Sequence, residues 1–202
     1  MGNVKYKSYY SGAVYHIYNR GNNKQNIFEE SGDFINYLKR LGKAKETHNV
    51  SIIAYTLMPN HFHLIARQNS EAPIHKFISS LHTSYVMYFN KKYKRVGHLF
   101  QGRFNQRIIS SDEDLLYLSC YVHLNPEIDG LVKRAEDYQW SSFRDYIGLR
   151  SGILCDKTLL ADLMKLNLQG QSFEGVYQKF VEGNKATILE NKLIREFLKD
   201  CP

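Results

Sequence analysis

Cysteine is scarce in this sequence, and the three present, Cys120, Cys155 and Cys201, are odd in number and form no C-x-x-C pair. That pattern argues against both a disulfide framework and a zinc knuckle, and a reducing cytoplasm is the compartment it suits. No stretch approaches the roughly 18 apolar residues that a bilayer span requires, and the opening MGNVKYKSYYSG lacks an apolar signal core. The expectation is a soluble, unprocessed protein with no membrane partner. Repeats, low-complexity tracts and long linkers are also missing. The 202 residues then read as one main domain over residues 1–150 and a helical extension over 151–202, with a core that needs no disulfide or structural metal.

Tryptophan occurs once, yet there are 15 Tyr and 11 Phe, and 27 Lys+Arg outweigh 20 Asp+Glu to give a formal charge of +7. The charge favours a polyanionic partner such as nucleic acid. Most of the rings belong to a core or a half-buried sheet, while tyrosines interleaved with Lys and Arg suit stacking on unpaired bases.

Residues Ala13 to Asn19 alternate and are β-branched or aromatic, which predicts a strand closed by the polar turn Arg20-Gly21-Asn22-Asn23. Ser31 can cap a helix with Phe34, Ile35, Leu38 and Leu41 at helical spacing. Val50 to Leu57 and His61 to Arg67 read as two strands joined by the turn signal Met58-Pro59-Asn60. Pro73 can open a second helix through Phe77, Ile78, Leu81, Tyr85 and Tyr88 that runs into the basic KKYKR stretch. A fourth strand ends at Phe104 to Ile109, and Ser111 caps a third helix that should stop near Asn125, because Pro126 follows. Further helical stretches are expected at Lys157 to Leu166 and Ile188 to Leu198. The order strand, helix, strand, strand, helix, strand predicts an α+β, ferredoxin-like antiparallel sheet, split β-α-β in type, with helices on one face and the other available for a further helix.

His61 and His63 are two apart on a predicted strand, so both imidazoles leave one face while Phe62 enters the core on the other. Two nitrogen ligands can thus meet one metal. Tyr121 and Asn125, four apart on the third helix, share a surface with Tyr117 one turn earlier. Each element by itself also fits an ordinary structural role.

Together, MPNHFHLIAR, GHLFQGRF, YVHLNPEIDGLV and DYQWSSFRDYIG resemble, in order and spacing, the signatures of REP-associated tyrosine transposases, relatives of the single-tyrosine HUH insertion-sequence transposases. The resemblance runs from about Tyr15 to Gly148; the last fifty or so residues carry no such signature. It implies that His61 and His63 are the HUH metal pair, that Tyr121, five before Pro126, is the nucleophile in preference to Tyr117, and that Asn125 is a third, polar metal ligand. It further implies attack on a phosphodiester to give a 5′-phosphotyrosine and a 3′-hydroxyl, a step reversible on another DNA end.

Two imidazoles and an amide oxygen leave open positions on a six-coordinate ion, which suits Mg²⁺ or Mn²⁺ better than structural zinc. Such attack needs accessible DNA, hence a single strand or a hairpin of REP type, with Lys91, Lys92, Lys94, Arg95, Arg103 and Arg107 as candidate backbone contacts. The protein could act as a monomer or a homodimer. Two other readings remain open: a non-catalytic RNA- or DNA-binding module on a ferredoxin-like sheet, and a phosphoesterase that activates water and can dispense with Tyr121.

Overall fold

The computed structural model describes residues 9–165 and 170–190. Its centre is a four-stranded antiparallel sheet in the order β2-β3-β1-β4, built from β1 (Val14–Arg20), β2 (Val50–Leu57), β3 (His61–Gln68) and β4 (Asn105–Ile109). The helices α1 (Ser31–Thr47) and α2 (Ile74–Lys92) make the two crossovers. This is the expected ferredoxin-like arrangement, and each strand lies within a residue or two of where alternation placed it.

Strand alternation sorts side chains to two faces. Tyr15, Ile17, Leu57, Phe62, Leu64 and Ala66 meet Phe34, Tyr37 and Leu41 of α1 and Phe77, Ile78, Leu81 and Tyr85 of α2 in one buried cluster. On the opposite face lies α3 (Asp112–Ile128), with α4 (Phe143–Tyr146), α5 (Thr158–Met164), α6 (Phe173–Gly183) and α7 (Lys185–Glu190) beyond it. A register shift between Ile52 and Ala54 brings Ile53 and Ala54 together into this second cluster, beside Ile65, Leu115, Leu118 and Val122. The bulge thus gives α3 a wider apolar floor.

Two sequence expectations are corrected, and one helix is added. Glu30, not Ser31, caps α1: it forms a capping box with Asp33, whose carboxylate also accepts from the Glu29 backbone N–H at 2.9 Å. Helix α3 does not stop before Pro126 but carries it inside and runs to Ile128. Proline has no N–H to offer the carbonyl four residues back, that of Val122, and the Thr56 hydroxyl of β2 donates to that oxygen instead. Helix α6, which the sequence reading did not anticipate, supplies the buried Tyr177 and Val181. The stretch expected at Lys157 to Leu166 is α5, short of Leu166, which lies outside the described residues, as does Ile188 to Leu198 beyond the end of α7. Among the described residues no helix is long and apolar enough to cross a membrane.

Candidate active site

The start of β3 and the last turns of α3 converge on the face of the sheet opposite α1 and α2. His61 and His63 both turn to that face, their ring centroids 5.2 Å apart and nearly perpendicular. Tyr121 crosses His63 edge to face at 5.3 Å. One turn on, the Asn125 amide nitrogen donates to the Tyr121 hydroxyl at 2.9 Å, which aims its Oδ1 at His61 Nε2, 3.2 Å away. The four residues that the family resemblance nominates, His61, His63, Tyr121 and Asn125, are therefore brought together. Tyr117 is not among them: its ring turns to Phe180 of α6 at 6.5 Å.

Burial pushes the His61 imidazole below its ordinary range, against the Asn125 hydrogen bond and the Asp129 carboxylate, with the Arg20 guanidinium lowering it further. Burial, reinforced by His61 and His16, pushes His63 lower still. Both rings are neutral at neutral pH, so each carries one N–H and one lone pair.

That restriction makes the contacts of His61 informative. Its Nδ1 lies 2.7 Å from Asn60 Oδ1 and its Nε2 3.2 Å from Asn125 Oδ1, and a neutral ring can donate to only one of them. With Nδ1–H given to Asn60, the Nε2 lone pair and the Asn125 oxygen face each other as two acceptors, an arrangement that a cation between them relieves.

His63 offers a third donor. Its Nδ1 lies 3.1 Å from Nε2 of the buried His16, while its Nε2 is buried with no hydrogen-bond partner. When His63 is the donor to His16, that Nε2 presents a lone pair with nothing to satisfy it. Two imidazole nitrogens and one amide oxygen thus fit a divalent ion that also accepts oxygen ligands. Among the described residues no three or more His, Cys, Asp and Glu side chains group to hold a metal, so any ion here depends on the asparagine as well as the histidines.

Three residues at the site escaped the sequence reading. His16 stands on β1, one register step from Tyr18, which pairs with His63; nothing local announces that strand pairing. Arg20 pairs with His61 in the register and donates from Nε to Gln101 Oε1 at 2.6 Å. Asp129, at the C-cap of α3, holds Oδ2 3.9 Å from His61 Nε2. It continues the Tyr121, Asn125 spacing by one more turn and could have been found by reading the helix through Pro126.

The basic residues divide. Lys91 and Lys92 occupy the last turn of α2 and Lys94 follows with φ of 50°. Lys92 is engaged by the fold: its ammonium pairs with the fully buried Asp33 and with Glu30 at 2.8 Å. Arg95 donates to Gln25 at 2.6 Å and lies over the Phe89 ring. Arg103 is exposed before β4, and Arg107 pairs with His16 in the register, which puts it on the same sheet face as the histidines.

The family model described as "Transposase IS200 like" matches residues 9–125, more than half of the chain. A protein of Haemophilus influenzae, provisionally named REP-associated tyrosine transposase, is 28% identical over 123 residues, which cover 55% of this chain and 69% of the relative. The solved structure of a REP-associated tyrosine transposase bound to a REP hairpin superposes with a TM-score of 0.57 at 22% identity, covering 77% of this chain and 94% of that one; at that identity it speaks for the fold. The match of the family model, spanning every strand of the sheet and α3 through Asn125, establishes that this chain belongs to the IS200-like transposase family.

Proposed function

We propose that this transposase is a divalent-metal-dependent endonuclease and strand transferase on single-stranded or hairpin DNA, with Tyr121 as its nucleophile. The observation that carries the reading is the unbroken line of contacts Tyr121 hydroxyl, Asn125 amide, His61 Nε2, beside the unpartnered His63 Nε2. Attacking group and candidate ligands are thus linked through a single asparagine.

His61, His63 and Asn125 would hold Mg²⁺ or Mn²⁺, which when bound polarises a phosphate oxygen and offsets charge developing at phosphorus. A phenol of ordinary pKa near 10 is a poor nucleophile at neutral pH. The Asn125 amide donates to its oxygen, fixing a lone-pair direction and favouring the phenolate as the proton leaves to water. Tyr121 Oη bonds to phosphorus, the P–O3′ bond breaks, and the departing oxygen takes a proton to become a 3′-hydroxyl. The 5′-phosphotyrosine keeps the ester's energy, so attack by a 3′-hydroxyl on the same phosphorus rejoins DNA without ATP. The hairpin-bound relative supports hairpin DNA as the substrate class.

A binding module that reads RNA on an open sheet is less well supported, because helices pack over both faces of this one. The test is incubation with end-labelled hairpin DNA and Mn²⁺, read on a denaturing gel and by mass spectrometry. Tyr121→Phe should bind DNA yet lose cleavage and the covalent adduct, and Tyr117→Phe should keep both. Cleavage that survives in Tyr121→Phe would instead favour water as the attacking group.

A further inference from the structure

We propose that Arg20 grips the scissile phosphate with its guanidinium, supplying the positive side chain that His61, His63, Asn125 and Tyr121 lack. The proposal rests on the phosphodiester-cleavage reading above and adds to it the residue that holds the reacting group.

Strand register puts Arg20 at the site. The Gly21 N–H donates to Asn60 O at 2.7 Å, so Arg20 and His61 form the adjoining pair without a backbone hydrogen bond between them. In such pairs the Cα atoms stand about 4.5 Å apart and the side chains are closest. Directly paired residues share a face, so Arg20 continues the β1 row of His16 and Tyr18, whose rings lie 5.3 and 6.1 Å from that of His63. Burial is the larger cause of the lowered His61 imidazole and the Arg20 charge adds to it, so the two groups sense each other. The backbone around Arg20 is pinned as well: the Asn22 N–H donates to Leu99 O at 2.8 Å and the Gln101 N–H to Arg20 O at 2.9 Å.

The fold uses only part of the guanidinium. Gln101 Oε1 accepts from Nε at 2.6 Å, which orients the plane and leaves the two terminal nitrogens to a ligand. Among the described residues no carboxylate pairs with Arg20, whose side chain is partly exposed; Arg150, by contrast, is held by the buried Asp145. A guanidinium presents paired N–H donors that match two phosphate oxygens. The other four residues of the site are two imidazoles, an amide and a phenol, all neutral at neutral pH. Negative charge on the phosphate oxygens grows as Tyr121 Oη bonds to phosphorus and the P–O3′ bond breaks, and Arg20 offsets it where it develops.

Wild type with Mn²⁺ and hairpin DNA first locates the cleaved step. Hairpins carrying either the natural phosphate or a neutral methylphosphonate at that step are then bound, in EDTA, to Tyr121→Phe and to Tyr121→Phe combined with Arg20→Ala. The uncharged group should weaken binding at least about fivefold with Arg20 present and less than about twofold without it, a coupling that a merely structural arginine would not show. In protein that keeps Tyr121, with Mn²⁺, Arg20→Ala should slow adduct formation at least about 100-fold. Arg20→Lys, which keeps the charge but not the fork, should slow it at least about fivefold. Equal sensitivity to the methylphosphonate with and without Arg20, or a wild-type adduct rate in either variant, overturns the role of Arg20 and leaves the nuclease standing. If wild type forms no tyrosine adduct, the cleavage reading falls and this proposal with it.

Discussion

The hydroxyl of Thr56 on β2 donates to the carbonyl oxygen of Val122 on α3, the one carbonyl of that helix which Pro126 cannot serve. The bond ties α3 to the sheet one residue beyond Tyr121. Thr56→Val keeps the shape but leaves a buried acceptor bare, and should cost about 1–3 kcal/mol in urea denaturation. In a Pro126→Ala background the alanine N–H can serve Val122, so the same substitution should cost at least about 1 kcal/mol less. Equal costs in the two backgrounds would show that the proline is not what Thr56 compensates.

His16 faces His63 in a near-parallel stack, with Nε2 3.1 Å from His63 Nδ1. A partner that accepts from Nδ1 fixes the ring and its tautomer, and losing such support typically costs 10–100-fold in metal affinity. His16→Phe should therefore weaken Mn²⁺ binding by about tenfold while leaving the thermal midpoint within a few degrees. His16→Gln, which still presents an accepting oxygen, should recover part of the loss. Unchanged Mn²⁺ affinity in His16→Phe would leave His16 with packing alone.

Acid should unfold this protein through its buried histidines, those outside the proposed metal set included. Burial lowers His82, set among Phe62, Phe100 and Phe104, and His123, bonded to Tyr177 and Ser142, to about 3. Their folded values lie below the ordinary 6.5, so the unfolded chain takes up protons first. The associated stability is complete above about pH 6.5 and is lost progressively as pH falls toward 3. Between pH 7.5 and 5 the loss should be about 1–2 kcal/mol per histidine, read from urea midpoints. His82→Phe should reduce the slope by one histidine's share; an unchanged slope would place the proton uptake elsewhere.

Lysine 92 and arginine 103 should separate stability from DNA affinity. Lys92→Met removes the cation from the buried Asp33 carboxylate, leaving it the Tyr88 and Tyr93 hydroxyls and the Glu29 and Glu30 backbone N–H groups as neutral donors. It should cost about 1–2 kcal/mol and leave the salt dependence of hairpin binding unchanged. Arg103→Gln, on an exposed loop, should leave stability alone and lower the slope of log K against log salt by about one. A reduced slope in Lys92→Met would return that lysine to the DNA surface.

The sequence by itself determined the sheet, its helices and the pairwise geometry within each element. Period-2 alternation fixes that His61 and His63 share a face, and the helical period fixes that Tyr121 and Asn125 share another, because both follow from backbone repeats of a few residues. Tertiary structure decided which of these faces meet. That Tyr121 and not Tyr117 crosses His63 depends on how α3 is rolled on the sheet, set by the bulge at Ile52 to Ala54 and by α6 drawing Tyr117 to Phe180. Pro126 stopped the helix on paper, since local rules see only its missing N–H; a hydroxyl 66 residues away in sequence let the helix continue and carried Asp129 to His61. His16 became visible only through strand register, and Lys92 lost its apparent freedom to Asp33, 59 residues away. In each case the deciding partner is distant along the chain, and burial, which makes an unmet donor, acceptor or charge costly, selected it.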